Sequence, residues 1–174
     1  KKCAYCDFLS FSCDEKTQIS YGDALIREIE FYGPQMKEYL VSTIFVGGGT
    51  PTWLDEDKMV EIFDAIHTYF NVSQDAEITI ECNPGTVTIS KLEKYRRAGV
   101  NRLSIGLQSA DDEELEILGR IHTFEKFVKT YEMARRTGFA NINVDLMSGI
   151  PYQTAEKFLR TLQKVVRLKP NHIS

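Results

Sequence analysis

The stretch Val41-Ser42-Thr43-Ile44-Phe45-Val46-Gly47-Gly48-Gly49-Thr50-Pro51-Thr52 decides the fold class. Val41 to Val46 is a β-branched run of strand length. Three glycines and a proline end it. A buried strand emptying into a glycine loop is the plain reading. Asp55 then caps a helix that reaches about Phe70, with Met59, Ile62, Phe63 and Ile66 on its core side.

The same unit repeats toward the C-terminus. Ala76 to Cys82 reads as a strand, broken by Asn83-Pro84-Gly85, and Thr88 starts a helix that stops at Gly99. Asn101 to Ile105 is a short strand ending at Gly106. Acidic Asp111 to Glu116 opens a short helix, and Phe124 to Thr137 makes a longer one. Ile142 to Leu146 is a strand running into Ser148-Gly149-Ile150-Pro151. A helix follows from about Thr154 to Leu168, and Asn171 to Ser174 opens one more strand. Upstream, residues 17–32 set Tyr21, Leu25, Ile29 and Tyr32 opposite Arg27, Glu28 and Glu30, an amphipathic helix.

Strands alternating with amphipathic helices about five times over predict a parallel sheet with right-handed crossovers and outer helices. The chain reads as one α/β domain over residues 1–174. Ligands of such sheets sit at the carboxyl ends of the strands. Gly47 to Thr50, Glu81, Gly106 to Gln108 and Asp145 to Gly149 are therefore expected on one rim, with Arg120 leaning over it.

Composition narrows the function. Hydrophobic residues make up 43% and charged ones 26%, ordinary for a globular protein. Lys and Arg total 21 against 25 Asp and Glu, a net charge of −4, which argues against a nucleic-acid footprint. No apolar run approaches the roughly 20 residues of a membrane span, and no signal peptide is visible. Four cysteines, two at metal spacing, suit a reducing cytoplasm. The three histidines show no metal spacing, so His122 reads as structural.

Lys1-Lys2-Cys3-Ala4-Tyr5-Cys6-Asp7-Phe8 carries the chemistry. Two thiolates at C-x-x-C spacing can face one centre, and soft thiolates select zinc, Cu(I) or iron–sulfur clusters. A redox dithiol and two unrelated buried thiols also fit the pair. A cluster usually takes three or four cysteines. A further ligand is then Cys13 or a cysteine ahead of Lys1, and the chain reads as a piece of a longer protein.

Six motifs in order carry a resemblance: Cys3-Ala4-Tyr5-Cys6, Gly47-Gly48-Gly49-Thr50-Pro51-Thr52, Glu81-Cys82-Asn83-Pro84, Ser104-Ile105-Gly106-Leu107-Gln108, Leu118-Gly119-Arg120-Ile121-His122, and Asp145-Leu146-Met147-Ser148-Gly149-Ile150-Pro151. Together they resemble the radical S-adenosylmethionine (SAM) superfamily, and within it the oxygen-independent coproporphyrinogen III oxidase-like family. The resemblance implies a (β/α)6-type partial barrel lacking its first strand and its last part.

It also implies a C-x-x-x-C-x-x-C loop holding a [4Fe–4S] cluster, with Cys3 and Cys6 as the second and third metal ligands. The first would fall two residues before Lys1, and the pattern gives Cys13 no role. SAM would chelate the open iron, and an electron would cleave it to methionine and a 5′-deoxyadenosyl radical. Gly48, Gly49 and Thr50 would meet its methionine end by backbone, Glu81 its ammonium, Arg120 its carboxylate, Gln108 and Asp145 its ribose. Tyr5 and Phe8 would pack beside cluster and adenine.

Coproporphyrinogen oxidases carry another cysteine where this chain has Phe8. That difference resembles the haem-chaperone branch, which transfers haem to acceptor proteins and whose haem motif lies beyond Ser174. Radical decarboxylation of coproporphyrinogen III, or another radical SAM activity, is the alternative.

Overall fold

A computed structural model describes residues 2–8 and 13–174. Helix α1 (Glu15–Tyr32) leads, followed by β1 (Leu40–Val46), α2 (Glu56–Tyr69), β2 (Asn71–Cys82), α3 (Ile89–Arg97) and β3 (Arg102–Gln108). Then come α4 (Asp112–Ile117), α5 (Phe124–Arg136), β4 (Asn141–Leu146), α6 (Ala155–Arg167) and β5 (His172–Ile173). Short 3-10 turns at Gly33–Met36 and Pro51–Trp53 flank β1.

The strands form one parallel sheet in the order β1-β2-β3-β4-β5. Every crossover steps in the same direction, and none reverses as it would in a doubly wound sheet. Right-handed crossovers of one sense put the helices on one face, the arrangement of a barrel wall.

The helices begin where short polar side chains replace the missing backbone acceptors. Asp14, Asp55, Thr88, Asp111, Thr123 and Thr154 each take an N–H of the first turn. The strands are pinned at their amino ends as well. Asn101 accepts from Ile78 N and donates to Ala76 O, both at 2.8 Å. Asn171 accepts from Ile142 N at 3.2 Å.

Side chains alternate across the sheet with period two. Ile78, Ile80, Cys82, Leu103, Ile105, Leu107, Ile142 and Val144 face the helices, buried among Phe63, Leu92, Tyr95, Phe127 and Phe139. Each such side chain contributes about 1.5–3 kcal/mol of burial. The opposite face is polar: Glu77, Thr79 and Glu81 on β2, Ser104 and Gln108 on β3, Asn141, Asn143 and Asp145 on β4.

Four sequence expectations shift. The strand at 41–46 is not fully buried: β1 pairs with β2 alone, and Leu40 and Phe45 are exposed. Strand β2 starts at Asn71, not Ala76, because Asn71 and Val72 pair with Leu40 and Val41 ahead of an irregularity opposite Val41 and Thr43. Strand β3 runs through Gly106 to Gln108, since a bulge at Leu107 keeps it paired with Leu146. Of the apolar stripe assigned to α1, Leu25 and Ile29 pack on α2, while Tyr21 and Tyr32 stay exposed.

Candidate functional site

The turn after β1 opens the rim. Gly48 and Gly49 have φ of 86° and 60°, a region that suits glycine. A Cβ on Gly48 would meet nothing within 4 Å, so the backbone there borders open space. Gly48 N donates to Glu81 Oε2 at 3.1 Å. Burial raises the Glu81 pKa above the usual carboxylate value; the Gly48 bond opposes this, and nearby Asp145 adds to it.

Arg120 is the hub of the next layer. Its Nη2 donates to Gly106 O at 2.7 Å and to Asn83 Oδ1 at 2.6 Å. Asn83 Nδ2 in turn donates to Thr50 Oγ1 at 2.7 Å, tying Arg120 to the glycine loop. Nη1 of Arg120 points the other way, 3.3 Å from Tyr5 OH and 3.6 Å from Cys3 Sγ. Nε is buried without a partner. Burial pushes the Tyr5 hydroxyl up, and the Arg120 charge pulls it back.

The cysteine loop docks on the α4–α5 connection. Ala4 N donates to Leu118 O at 3.0 Å, and Gly119 (φ 71°) lets the two backbones approach: a Cβ there would stand 3.4 Å from Ala4 N. Cys6 N donates to Cys3 O at 3.2 Å, closing a turn between two half-buried free thiols. Cys13 is exposed just before the α1 cap. Among the described residues no group of three or more His, Cys, Asp or Glu is gathered to hold a metal ion, so Cys13 is not brought to Cys3 and Cys6.

At the far side, Asp145 sits in a polar clamp. Ser104 Oγ reaches both its oxygens at 3.2 Å, Asn143 Nδ2 donates to Oδ1 at 2.6 Å, and Ser174 Oγ donates to Oδ1 at 2.7 Å. Three donors crowd Oδ1 and one reaches Oδ2, so Oδ2 keeps acceptor capacity. His172 Nδ1 bonds Asn143 Oδ1 behind them. Gln108 has φ of 74°, a strained value for a non-glycine residue, and its Nε2 lies over Gly106.

Of the residues singled out in the sequence, Cys3, Tyr5, Gly48, Thr50, Glu81, Gln108, Arg120 and Asp145 gather on this one mouth. Cys6 and Gly49 follow directly in the same loops. Phe8 stands apart, 66% exposed, with only its carbonyl held by Lys2. His122 is buried, its Nε2 bonded to Leu107 O, as a structural residue should be. Asn83, Ser104, Asn143, His172 and Ser174 were not foreseen. The alternation R-L-S-I-G-L-Q and N-I-N-V-D-L could have found the strand residues among them.

The family model described as "Radical SAM superfamily" matches residues 1–165. The chain belongs to the radical SAM superfamily. It is 39% identical over its full length to the haem chaperone HemW of Escherichia coli strain K12, covering 46% of that protein. It is 36% identical over 99% of its length to the haem chaperone HemW of Bacillus subtilis strain 168, again covering 46%. The solved structure of coproporphyrinogen III oxidase HemN from Escherichia coli, a radical SAM enzyme, superposes with a TM-score of 0.90 at 32% identity, over 99% of this chain and 41% of that one. The chain thus spans about half the length of the curated relatives it matches. No helix among the described residues is long and apolar enough to cross a membrane.

The radical SAM superfamily implies a [4Fe–4S] cluster and SAM, and the residues present fit that pair as far as they go. Cys3 and Cys6 give two soft donors on one turn. The open space over Gly48 gives room for a small ligand. Glu81 and Arg120 face the same mouth with opposite charges, matching an amino-acid zwitterion. A third thiolate is not assembled among the described residues.

Proposed function

We propose that this protein is a haem chaperone of the radical SAM superfamily, binding a [4Fe–4S] cluster and SAM and passing haem to acceptor proteins in the cytoplasm. The observation that carries the reading is the identity to two bacterial haem chaperones, 39% and 36% over nearly all of this chain and 46% of each of theirs.

When bound, cluster and SAM supply one-electron chemistry. The work of this chain is to bind and orient. Cys3 and Cys6 would hold two irons of the cluster. Glu81, freed from Gly48 N–H, takes the SAM ammonium, and the Gly48-Gly49-Thr50 backbone lies along the methionine end. Arg120 Nη1 takes the carboxylate, because Nη2 is already committed to Gly106 and Asn83. Asp145 Oδ2 and Gln108 take the ribose hydroxyls, and Tyr5, held by Arg120, flanks the cluster; Phe8, exposed and apart from the mouth, takes no part. Haem is held by residues beyond these.

A second reading, anaerobic decarboxylation of coproporphyrinogen III, draws support from the 0.90 TM-score to the oxidase HemN. Haem titration followed at the Soret band, beside an anaerobic coproporphyrinogen III conversion assay, separates the two. A Soret shift without conversion supports the chaperone. Conversion without haem binding overturns it.

A further inference from the structure

The imidazole of His172 is held in one tautomer, and Asp145 decides which, through Asn143. Asn143 Nδ2 lies 2.6 Å from Asp145 Oδ1 and 2.8 Å from Ser104 Oγ. Turning that amide over would press its carbonyl oxygen against the carboxylate, so Nδ2 stays on the Asp145 side and Oδ1 faces His172. His172 Nδ1 meets Oδ1, which can only accept, so Nδ1 carries the proton. In the neutral ring the lone pair is then on Nε2. His172 is exposed, and its Nε2 has no hydrogen-bond partner among the described residues. The ring stands on the polar face of the sheet: His172 pairs with Asn143 in the parallel register, two positions short of Asp145 and so about 7 Å behind the rim. Asp145, Asn143 and His172 form a relay that ends in an aimed lone pair.

Proteins present histidine to a metal in this way: one ring nitrogen ligates while the other donates its N–H to a fixed oxygen. A bare ion would need further donors, and no group of three or more His, Cys, Asp or Glu is gathered among the described residues. The metal that suits a single imidazole brings its own equatorial ligands and lacks an axial one, as haem iron does. We propose that His172 Nε2 is an axial ligand of haem iron, with Asn143 and Asp145 as positioning residues. The inference rests on the haem-carrying reading above and gives that cargo a point of attachment within this chain. The Asn143 carbonyl draws on the Nδ1 proton and makes Nε2 the better donor. Coordination fills the axial position with the Nε2 lone pair; no proton or electron changes hands.

The test is a titration of ferric haem into the natural full-length polypeptide that carries these residues, with iron ligation read from the Soret band and the EPR g-values. His172→Gly is expected to change both and to weaken haem binding, and imidazole added to the solution is expected to restore the wild-type spectrum. Asn143→Ala keeps the ligand but loosens its aim, with an expected loss of about 10–100-fold in haem affinity. A His172→Gly protein with the wild-type Soret band, g-values and affinity overturns the site. If His172→Gly fails to fold, His172→Gln decides instead, since a side-chain amide does not replace imidazole on iron, and an unchanged spectrum there overturns the site. A wild-type protein that takes up no haem removes the haem-carrying reading, and the site with it. Wild-type uptake of haem that is blind to both His172 substitutions removes the site alone.

Discussion

Glu81 and Gly48, thirty-three positions apart in the chain, close on each other at 3.1 Å, carboxylate oxygen to backbone N–H. The bond spans the space where β1 and β2 end side by side. It keeps an acid ready on the rim whose proton affinity burial has raised.

That raised proton affinity gives a pH signature. A carboxyl whose folded pKa exceeds its unfolded one favours the folded state below the unfolded pKa, and this advantage fades as pH rises through the folded value. A cationic ligand needs the ionised form. SAM affinity is therefore expected to fall on acidification, beginning at a higher pH than an exposed glutamate would give. Glu81→Gln should weaken binding at neutral pH and flatten the dependence. Calorimetric titrations from pH 7.5 down to 5 measure it; parallel curves for both proteins would refute the assignment.

His122 predicts the opposite slope for stability. Burial, helped by the Arg120 charge, lowers its pKa to about 4, against a weaker opposing bond to Leu107 O; Lys126 adds slightly and Asp112 opposes. The unfolded imidazole takes its proton near the ordinary 6.5 and the folded one does not. Stability is thus full above that value and drains away as pH falls toward 4, by about 3 kcal/mol in all. Urea melts of wild type and His122→Gln across this window should diverge, the wild type falling more steeply.

The clamp on Asp145 should matter to ligand more than to folding. Asn143→Ala removes one donor to Oδ1 and leaves His172 Nδ1 without its acceptor. A loss of about 1–3 kcal/mol in stability is expected from the unpaired groups. Ser104→Ala keeps the Asn143 and Ser174 bonds to Asp145, so it should cost less in melting temperature yet still lower SAM affinity. Equal affinity in wild type and both variants would detach Asp145 from the ligand.

Thiol chemistry separates the cysteines. Cys82 faces the core, and burial pushes its pKa up to about 12, though hydroxyls of Thr86 and Thr52 pull it down somewhat. Exposed Cys13 should react with iodoacetamide in the native protein, and Cys82 only after unfolding. Mass mapping of native and urea-treated samples reads both.

The rim was legible because strand ends can be read locally: a β-branched run, then glycine or a polar residue. That rule alone brought Gly48, Glu81, Gln108 and Asp145 to one mouth. Asn83 escaped it, since Asn-Pro-Gly reads as a turn and nothing local says its amide will bridge Thr50 and Arg120. Ser104 and Asn143 escape it because Asn101 to Ile105 and Ile142 to Leu146 read as short apolar strands. Their polar alternates face inward only when all helices lie on the other side, a property of strand order. Exposed Phe45 differs from the buried-strand reading of 41–46 for the same reason: a β-branched segment reads alike in the middle of a sheet and at its margin.

The Ala4–Leu118 backbone bond has one more implication. It makes the α4–α5 connection the mount on which the thiols are aimed. Grafting a longer or shorter 118–122 segment from a relative would tilt Cys3 and Cys6 toward or away from Gly48 with both cysteines unaltered. Descendants of this scaffold could thus retune their reach by drift in a loop that carries no sulfur.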